Sequence, residues 1–444
     1  MRNALAWVLL SWFAVAAVAA DPKAETEKPR SREQRLLDIL LERQIITQAE
    51  HAELSAISLE SDAPDPRRSD LESRVEEVLE RGYVDDEEQA RAGFDEGFYI
   101  ESADGLYSLR FRGWVQVRYT YSDFDSGRDK SDESSFSTPQ VRVDFLGHVY
   151  DPNLTYRIFA DFDDDSDDGK TALQDAWVQW FNPNHHYGIR AGQYIVPYGR
   201  QQMTPAADLQ LMDRAESSVF FTPFRDVGVM FFGDAAEGKF QYWAGVYNGE
   251  GEDLENNDND HLWAARIQAN PFGPYGLYEG DVNYSDELAL SFGANYAYLG
   301  LGDDDSEEIF GTATDGDQHR FAFDAAMRLM GLSLTGEYYT MRSDDDGGGS
   351  ADLRTVDDHG YFVQSGYFLL PNQLEVAARY SWRNSDNDNL GADDDTEEIG
   401  LGLNYYFNKH NHKLQLDWRR LDFDAQSGDD LTDHFVRLQW QLRW

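Results

Sequence analysis

The sequence predicts an all-β fold: a 16-stranded antiparallel transmembrane β-barrel with a small N-terminal α-helical segment. From about Leu106 to the C-terminus, apolar and polar residues alternate with a period of two, as expected for strands with one face in an apolar environment. The connections between these stretches alternate between mostly short turns and long acidic loops. An even number of strands, with short turns at one rim and long loops at the other, is typical of barrels that cross an outer membrane.

Sixteen stretches of the chain carry this alternation. The last one shows it plainly, because Val436, Leu438 and Trp440 alternate with Arg437 and Gln439. One connection departs from the pattern of short turns, since residues 270–287 form a long segment rich in Gly and Pro. The predicted strands are centred near residues 114, 144, 158, 177, 190, 229, 244, 265, 293, 324, 336, 363, 379, 402, 418 and 439.

The N-terminus has the features of a secretory signal peptide. Arg2 precedes an apolar run, and small residues precede Asp21. We therefore expect the mature protein to be exported. No later stretch approaches the length of apolar sequence that a membrane-spanning helix needs, so membrane insertion is expected to require a closed barrel.

A short region with helical periodicity follows the signal peptide. Apolar residues recur at helical spacing within Ser31–Ser55 and within Asp70–Ala92. Two amphipathic helices of this size bury little surface alone, so we expect them to self-associate, for instance as a trimer in the periplasm. The predicted organisation is a signal peptide at residues 1–20, a periplasmic helical segment at 21–92, a linker at 93–104 and the outer-membrane barrel at 105–444.

Composition excludes several classes of function. The net charge of -45 argues against a general affinity for nucleic acid. The chain has no cysteine, and neither its histidines nor its carboxylates have the spacing of a metal site or of a catalytic group, so we predict no enzyme activity, no cofactor and no metal centre. The partners expected are small anions, together with lipopolysaccharide and the other lipids of an outer membrane.

Arginine is concentrated on the face of the strands that is predicted to line the lumen. In the first strand Phe111 and Val115 belong to the apolar face, which places Arg112 on the opposite face. A lumen lined with guanidinium groups attracts anions. The alternative is that these arginines pair with inward-facing acids and only stiffen the wall. The predicted arginine ladder comprises Arg110, Arg112, Arg118, Arg142, Arg157, Arg190, Arg266, Arg320, Arg328, Arg379, Arg383 and Arg437. Fewer acids share that face: Asp144, Asp161, Asp175, Asp324, Glu337, Glu375 and Asp417.

The third long loop, residues 196–225, is unusual because it carries apolar residues as well as charged ones. Its middle, Pro205 to Ala215, is predicted to form a short helix. Long loops without a sheet of their own are usually functional or disordered. Phe220 and Phe221 require a surface to pack on, and the barrel lumen supplies one. We therefore predict that this loop folds inward and narrows the pore.

Several motifs resemble those of the phosphate-selective porins O and P. They are Gly192–Gly199, Met212–Ala215 and Arg225–Val229, together with similar segments at Leu173–Val178 and Tyr242–Gly249. The resemblance covers roughly residues 105–444. It implies a trimeric porin of sixteen strands whose third extracellular loop forms the constriction and whose arginines lead to a phosphate site. Arg214 and Arg225 match arginines of the family motif, and Arg200 is a further candidate at the predicted constriction. The acidic extracellular loops depart from the family pattern.

The sequence therefore predicts an outer-membrane porin of a Gram-negative bacterium, with its N-terminal segment in the periplasm. We expect passive diffusion of small anions, with phosphate or polyphosphate as the leading candidates. Two alternatives remain open: a general or cation-tolerant porin with an acidic vestibule, and a structural protein that tethers the envelope through its N-terminal helices.

Overall fold

The computed structural model describes most of the C-terminal four-fifths of the chain. The described residues are 90–127, 130–162, 171–252, 254, 256, 259–302, 316–345, 355–385, 395–424 and 430–444, together with positions 41, 48 and 51. The chain divides into two compact units, Met1–Glu88 and Gln89–Trp444. The barrel lies in the second unit.

Sixteen antiparallel strands form a closed barrel within the described residues, and each contains the centre predicted from the sequence. The first of these strands is β3, because a short hairpin, β1 and β2, precedes it. The strands are β1 Arg91–Phe94, β2 Phe98–Glu101, β3 Ser108–Asp123, β4 Glu133–Val149, β5 Asp151–Asp161, β6 Ala172–Asn182, β7 Tyr187–Ile195, β8 Arg225–Ala235, β9 Phe240–Tyr247, β10 Leu262–Ala269, β11 Ala289–Leu301, β12 Gly316–Leu329, β13 Leu332–Asp345, β14 Thr355–Leu370, β15 Leu374–Asn384, β16 Asp395–Asn408, β17 His412–Asp424 and β18 Leu431–Arg443.

The barrel closes where the last strand pairs with the first strand of the wall. Each strand from β3 to β18 pairs with its neighbour in the sequence, and β18 pairs with β3 from Arg443↔Trp114 to His434↔Asp123. Two backbone hydrogen bonds continue this seam to the C-terminus, since Gly113 and Trp444 exchange N–H···O bonds of 3.1 and 3.0 Å. Closure leaves the wall without an open edge along this seam, which a hydrocarbon environment requires.

Side chains alternate strictly between the two faces of the wall. On β12, Phe321 and Phe323 are exposed on the outside, while Ala322 and Asp324 are buried inside. The same alternation on the other strands gives an apolar outer surface and a lumen lined by polar and charged residues. All seven acids predicted to face inward are more than nine-tenths buried: Asp144, Asp161, Asp175, Asp324, Glu337, Glu375 and Asp417.

The two rims differ as the sequence predicts. One rim carries turns no longer than residues 183–186, with the exception of the connection between β10 and β11, residues 270–288. The opposite rim carries the long connections, among them residues 196–224 between β7 and β8. We call residues 196–224 the inward loop and residues 270–288 the rim connection.

The region ahead of the barrel is only partly described. Positions 41, 48 and 51 are helical, and the remaining residues of the two predicted helices up to residue 89 lie outside the described residues. The predicted linker, residues 93–104, contains part of the β1–β2 hairpin. Strand β2 pairs with the first residues of β3, from Phe98↔Phe111 to Glu101↔Ser108. The pairing of β18 with β3 does not extend to these residues. The hairpin therefore covers an edge that the stagger of the barrel would otherwise leave free.

Candidate functional site

The inward loop begins with a tight turn against the wall of the lumen. Gly199 has a φ of 73°, a left-handed conformation that glycine adopts without strain, and it leads into the short helix α1, Arg200–Met203. The buried Glu337 carboxylate on β13 accepts hydrogen bonds from the backbone N–H groups of Arg200, at 2.9 Å, and Gln201, at 2.5 Å. These bonds satisfy two amides at the helix N-terminus and fix the start of the loop.

The end of the loop is anchored by a second short helix, α2, Glu216–Phe221. Its first N–H, on Glu216, donates to the Glu398 carboxylate on β16 at 2.9 Å. At the other end Phe221 is fully buried and stacks on Tyr339 of β13, with ring centroids 5.5 Å apart and planes 8° apart. Phe221 is thus one of the residues that attach the loop to the wall, as its sequence context indicates.

The middle of the loop lies along the wall with little regular secondary structure. The helix predicted over Pro205–Ala215 is absent; the chain forms a 3₁₀ turn at Ala206–Asp208 and then a series of bends over residues 210–213 before α2. Leu211 is buried against β16, where a Cβ on Gly402 would lie 2.6 Å from its Cδ2 atom. The carbonyl of Gln210 accepts hydrogen bonds from side-chain amides on β16 and β17. Tertiary contacts of this kind override the local helix preference.

The loop also reaches the opposite side of the lumen. Ala207 is fully buried in a cluster with Trp114 of β3 and Phe159 of β5. The Asp213 carboxylate accepts a hydrogen bond of 3.1 Å from Arg118 of β3 and forms an ion pair with Arg437 of β18. Although partial removal from water raises the pKa of the Asp213 carboxyl, the charges of Arg437 and Arg118 outweigh that effect and hold it well below its usual range. The loop therefore crosses the lumen and narrows it.

Two guanidinium groups of the wall lie beside this crossing. Arg142 of β4 and Arg225 of β8 are both over the Phe159 ring, 5.6 and 6.0 Å from its centroid, and Phe159 packs with Ala207 of the loop. The positive charges of both arginines act on Arg214 of the loop. Burial, and then these two like charges, lower the pKa of the Arg214 guanidinium to about 10, so it remains cationic at neutral pH. Arg214 donates to three backbone carbonyls, the shortest bond being 2.7 Å to Thr204, so neutral groups hold its charge in place.

Arginines on β3, β4 and β5, across the lumen from the main body of the loop, are partly exposed to solvent. Their carboxylate partners are buried. Arg157 on β5 is 24 % exposed, and it binds Asp144 and Asp175, which are 2 % and 5 % exposed. Arg112 and Arg142 have the same arrangement, with carboxylate partners that are buried behind them. A solute in this part of the lumen therefore meets N–H groups more often than carboxylates.

A second group of predicted ladder arginines faces inward but lies beneath the loop. Arg266 is fully buried and pairs with Asp324 at 2.5 Å. Arg379 is buried against Glu398, also at 2.5 Å, and Arg437 is buried against Asp417 at 2.7 Å. For these positions the geometry matches the alternative in which arginines pair with inward acids and stiffen the wall.

The remaining ladder arginines contact aromatic rings or lie at the rim. Arg190 lies 4.3 Å from the centroid of the Trp177 ring, and Arg328 lies 3.6 Å from that of Tyr278. Three other positions are half-buried or partly exposed. Arg320 donates to Gln318, Arg383 lies over the Phe220 ring, and Arg110 binds Asp95 in the turn between β1 and β2.

The predicted constriction residues do not all meet. Arg214 and Arg225 lie together, but Arg200 is buried at the opposite wall, where its guanidinium binds Asp324 at 2.8 Å. Sequence reasoning missed Glu398 as a lumen residue. Extending the period of two back from the predicted strand centre near residue 402 would have placed it on the inner face, which it shares along β16 with Thr396 and Gly400.

Two observations bear on other kinds of site. In the part of the chain that the structure describes, no helix is both long enough and apolar enough to span a membrane. Across the same residues, no group of three or more His, Asp or Glu side chains is arranged to bind a metal ion.

Solved structures with the same fold are bacterial outer-membrane proteins. The outer-membrane channel DcaP of Acinetobacter baumannii has a TM-score of 0.56 at 12 % identity, covering 80 % of this chain and 100 % of that one. A loop L8 deletion mutant of OmpT from Vibrio cholerae has a TM-score of 0.52 at 14 % identity, covering 76 % and 99 %. An anion-selective porin from Comamonas acidovorans has a TM-score of 0.51 at 13 % identity, covering 76 % and 100 %. At such identities the likeness shows the fold.

Sequence comparison gives the family. No curated protein matches the chain. The family model for phosphate-selective porin O and P matches residues 112–444, which is most of the chain and runs from within β3 through all the later strands of the wall. Together with the closed barrel, this match identifies an outer-membrane porin. The chain belongs to the phosphate-selective porin O and P family.

Proposed function

We propose that this porin passes small anions by diffusion, with phosphate or polyphosphate as the preferred solutes. The observation that carries the proposal is that Arg142 and Arg225 both lie over Phe159, the ring that packs with Ala207 where the inward loop crosses the lumen. Their charges also act on Arg214 of the loop. Guanidinium groups offer several N–H donors in a geometry that suits phosphate oxygens. An anion crossing this gap exchanges water for these donors, and binding must remain weak enough for release.

The partly exposed arginines on β3–β5 support the same proposal. Arg112, Arg142 and Arg157 lie in neighbouring strands and present N–H groups in front of buried carboxylates. A row of this kind gives a passing anion successive weak sites. The porin from Comamonas acidovorans is anion-selective, which agrees with this direction, although at 13 % identity the likeness shows only the fold.

One set of residues favours a second candidate, a cation-tolerant pore. Asp213 is 36 % exposed, Glu252 is 32 % exposed and Glu216 is 26 % exposed. These carboxylates lie on the loops, so they raise the local concentration of cations in front of the gap. Whether the pore prefers anions or cations depends on which region limits conduction: the arginines at the crossing or the carboxylates of the loops in front of them.

The experiment that tests the proposal is a measurement of reversal potential across a planar bilayer. A gradient of potassium chloride should give a potential of the sign expected for an anion-preferring channel. Adding phosphate to both sides should then reduce the chloride current, because phosphate occupies the same guanidinium groups. A reversal potential of the cation-preferring sign would reject the anion proposal, and a chloride current that phosphate does not reduce would reject phosphate as the solute.

We further propose that the protein is a homotrimer and that residues 21–92 form a periplasmic helical segment able to trimerise. The support is the helical periodicity of Ser31–Ser55 and Asp70–Ala92. Chemical cross-linking of the full chain and of a variant lacking residues 21–92 tests this proposal. If the variant forms the same trimer as the full chain, the segment is not required for assembly. Envelope leakage in cells that express the variant would favour the tethering role instead.

A further inference from the structure

The rim connection, residues 270–288, is far longer than the other turns on its rim, and it does not extend away from the barrel. Tyr275, Glu279 and Asp281 are all buried. Val282 is buried in a cluster with Phe368 of β14 and Tyr406 of β16. The connection therefore leaves β10 and crosses into the lumen from the rim opposite to the one that bears the inward loop.

The outer part of the connection is fixed to neighbouring turns of the same rim. The Asp281 carboxylate accepts hydrogen bonds from the backbone N–H of Gly331, at 2.8 Å, and from Ser285, at 2.9 Å. The side chain of His410 hydrogen-bonds to the carbonyl of Glu279 at 2.9 Å. None of these contacts involves the inward loop, so they hold the connection independently of it.

The tip of the connection meets the inward loop through Glu279. The Glu279 carboxylate accepts hydrogen bonds from the backbone N–H of Gln210, at 2.7 Å, and from the side chains of Gln201 and Gln364, both at 2.8 Å. The backbone N–H of Glu279 donates to the carbonyl of Asp208 at 2.9 Å. One buried carboxylate therefore joins the connection, the loop and strand β14.

Gln201 extends this contact to Arg214. Its side-chain oxygen accepts a hydrogen bond of 2.8 Å from the N–H of Ala215, the residue before α2. Its backbone carbonyl accepts a hydrogen bond of 3.2 Å from Arg214. Through Gln201, Glu279 is thus connected to the N–H of Ala215 and to one of the three carbonyls that hold Arg214.

We propose that the rim connection, acting through Glu279, sets the position of the inward loop and hence of Arg214. Glu279 is a positioning residue, since it contacts the loop and not the solute. The inference deepens the proposed function, because its consequence for conduction rests on Arg214 facing the passing anion. A buried carboxylate that accepts several hydrogen bonds cannot be removed without leaving its donors unsatisfied, which makes the contact strong enough for this role.

The test compares Glu279→Ala and Glu279→Gln with Asp281→Asn as the matched control. Asp281 is a buried carboxylate of the same connection, but its hydrogen bonds go to the rim. Hydrogen exchange of the detergent-solubilised porin reports loop protection, and heat-modifiable gel mobility verifies that each barrel is folded. We expect exchange of residues 200–218 to rise roughly tenfold in both Glu279 variants, the factor that corresponds to about 1.4 kcal/mol, and to stay unchanged in Asp281→Asn.

Single-channel recording separates this inference from the proposed function. We expect the Glu279 variants to add frequent transitions between conductance levels, because a released loop moves in the gap. If residues 200–218 lose protection while ion selectivity stays as in the parent protein, the positioning role of Glu279 is supported and the role of Arg214 in selectivity is rejected. If the Glu279 variants keep full protection, or if Asp281→Asn loses as much as they do, the proposed role of Glu279 is refuted.

Discussion

Adjacent residues of the inward loop give opposite predictions for ion selectivity. Replacing Arg214 by Gln removes a guanidinium group on which the charges of two wall arginines act. Replacing Asp213 by Asn removes a carboxylate that binds Arg118 and Arg437, which takes the ion pair from Arg118 and leaves Arg437 paired with Asp417 alone. We therefore expect R214Q to lower the preference for anions and D213N to raise it.

The size of the two shifts follows from the position of the charges. An ion about 4 Å from a unit charge gains about 1 kcal/mol in bulk water and about 4 kcal/mol at an effective dielectric constant near 20. The Asp213 side chain is 36 % exposed, so the gap is hydrated and the lower value applies. About 1 kcal/mol corresponds to a change of about fivefold for each ion, with opposite signs for anion and cation, so the ratio of their permeabilities should change by up to about thirtyfold. The change should shrink in about 1 M salt, where the Debye length falls to about 3 Å.

Reversal potentials in planar bilayers measure both shifts at low and at high salt. Arg110→Gln is the matched control, because Arg110 has the same register on β3 as Arg118 but binds Asp95 in the turn between β1 and β2. It should leave the reversal potential unchanged. A shift of the same sign in R214Q and D213N would refute the reasoning, since the effect would then reflect loop displacement and not charge.

Three further predictions concern the packing that holds the loop and the seam. Gly402→Val should displace Leu211, since a Cβ there would lie 2.6 Å from its Cδ2, and the overpacking of about 1–3 kcal/mol should appear as faster proteolysis within residues 196–224. Phe221→Ala should remove the stack on Tyr339 and cost about 3–5 kcal/mol of local stability, measured as faster hydrogen exchange in α2, whereas unchanged exchange would contradict the anchoring role. Deleting residues 91–101 should expose the first residues of β3 and lower the unfolding temperature of the barrel, measured by heat-modifiable gel mobility. An unaltered unfolding temperature would show that the hairpin does not stabilise the seam.

The strands could be predicted from the sequence because the membrane constrains every one of them in the same way. Outward residues such as Phe321 and Phe323 must be apolar, and inward residues such as Arg320 and Asp324 are free to be charged, so the period of two survives along the whole wall. The same register placed the ladder arginines and seven acids on the inner face. This is local information, and one sequence contains it.

The environment of each inward arginine depends instead on contacts between distant parts of the chain. Arg200 and Arg214 both lie on the inward loop, yet Arg200 is buried against Asp324 and Arg214 lies beside Arg225. Which arginines remain exposed is decided by where the loop lies, and that position depends on the rim connection and on small residues of β16 such as Gly402. The sequence contains no signal that links either the rim connection or Gly402 to the inward loop. It shows only that residues 270–287 are unusually long for a connection on that rim.

Charged side chains of the lumen also provide hydrogen-bond partners for the backbone of the inward loop. The inward loop lies in the lumen with little secondary structure, so its N–H and C=O groups need other partners. Carboxylates of the wall accept its N–H groups, as Glu337 does for Arg200 and Glu398 for Glu216. Cations of the wall donate to its carbonyls, as Lys413 does to Leu209 at 2.7 Å.

This division of roles bears on the proposed passage of anions through a strongly acidic chain. Acids such as Glu337, Glu375 and Glu398 are buried between the loop and the wall, where each accepts hydrogen bonds from the loop. Guanidinium groups only donate, and the loop offers them carbonyls on the side that faces the gap, as for Arg214. Carboxylates buried behind the loop are thus held by its N–H groups, whereas Arg214 on the loop is held by its carbonyls. The net charge of -45, much of it in the long loops, says little about the field that a solute meets at the crossing.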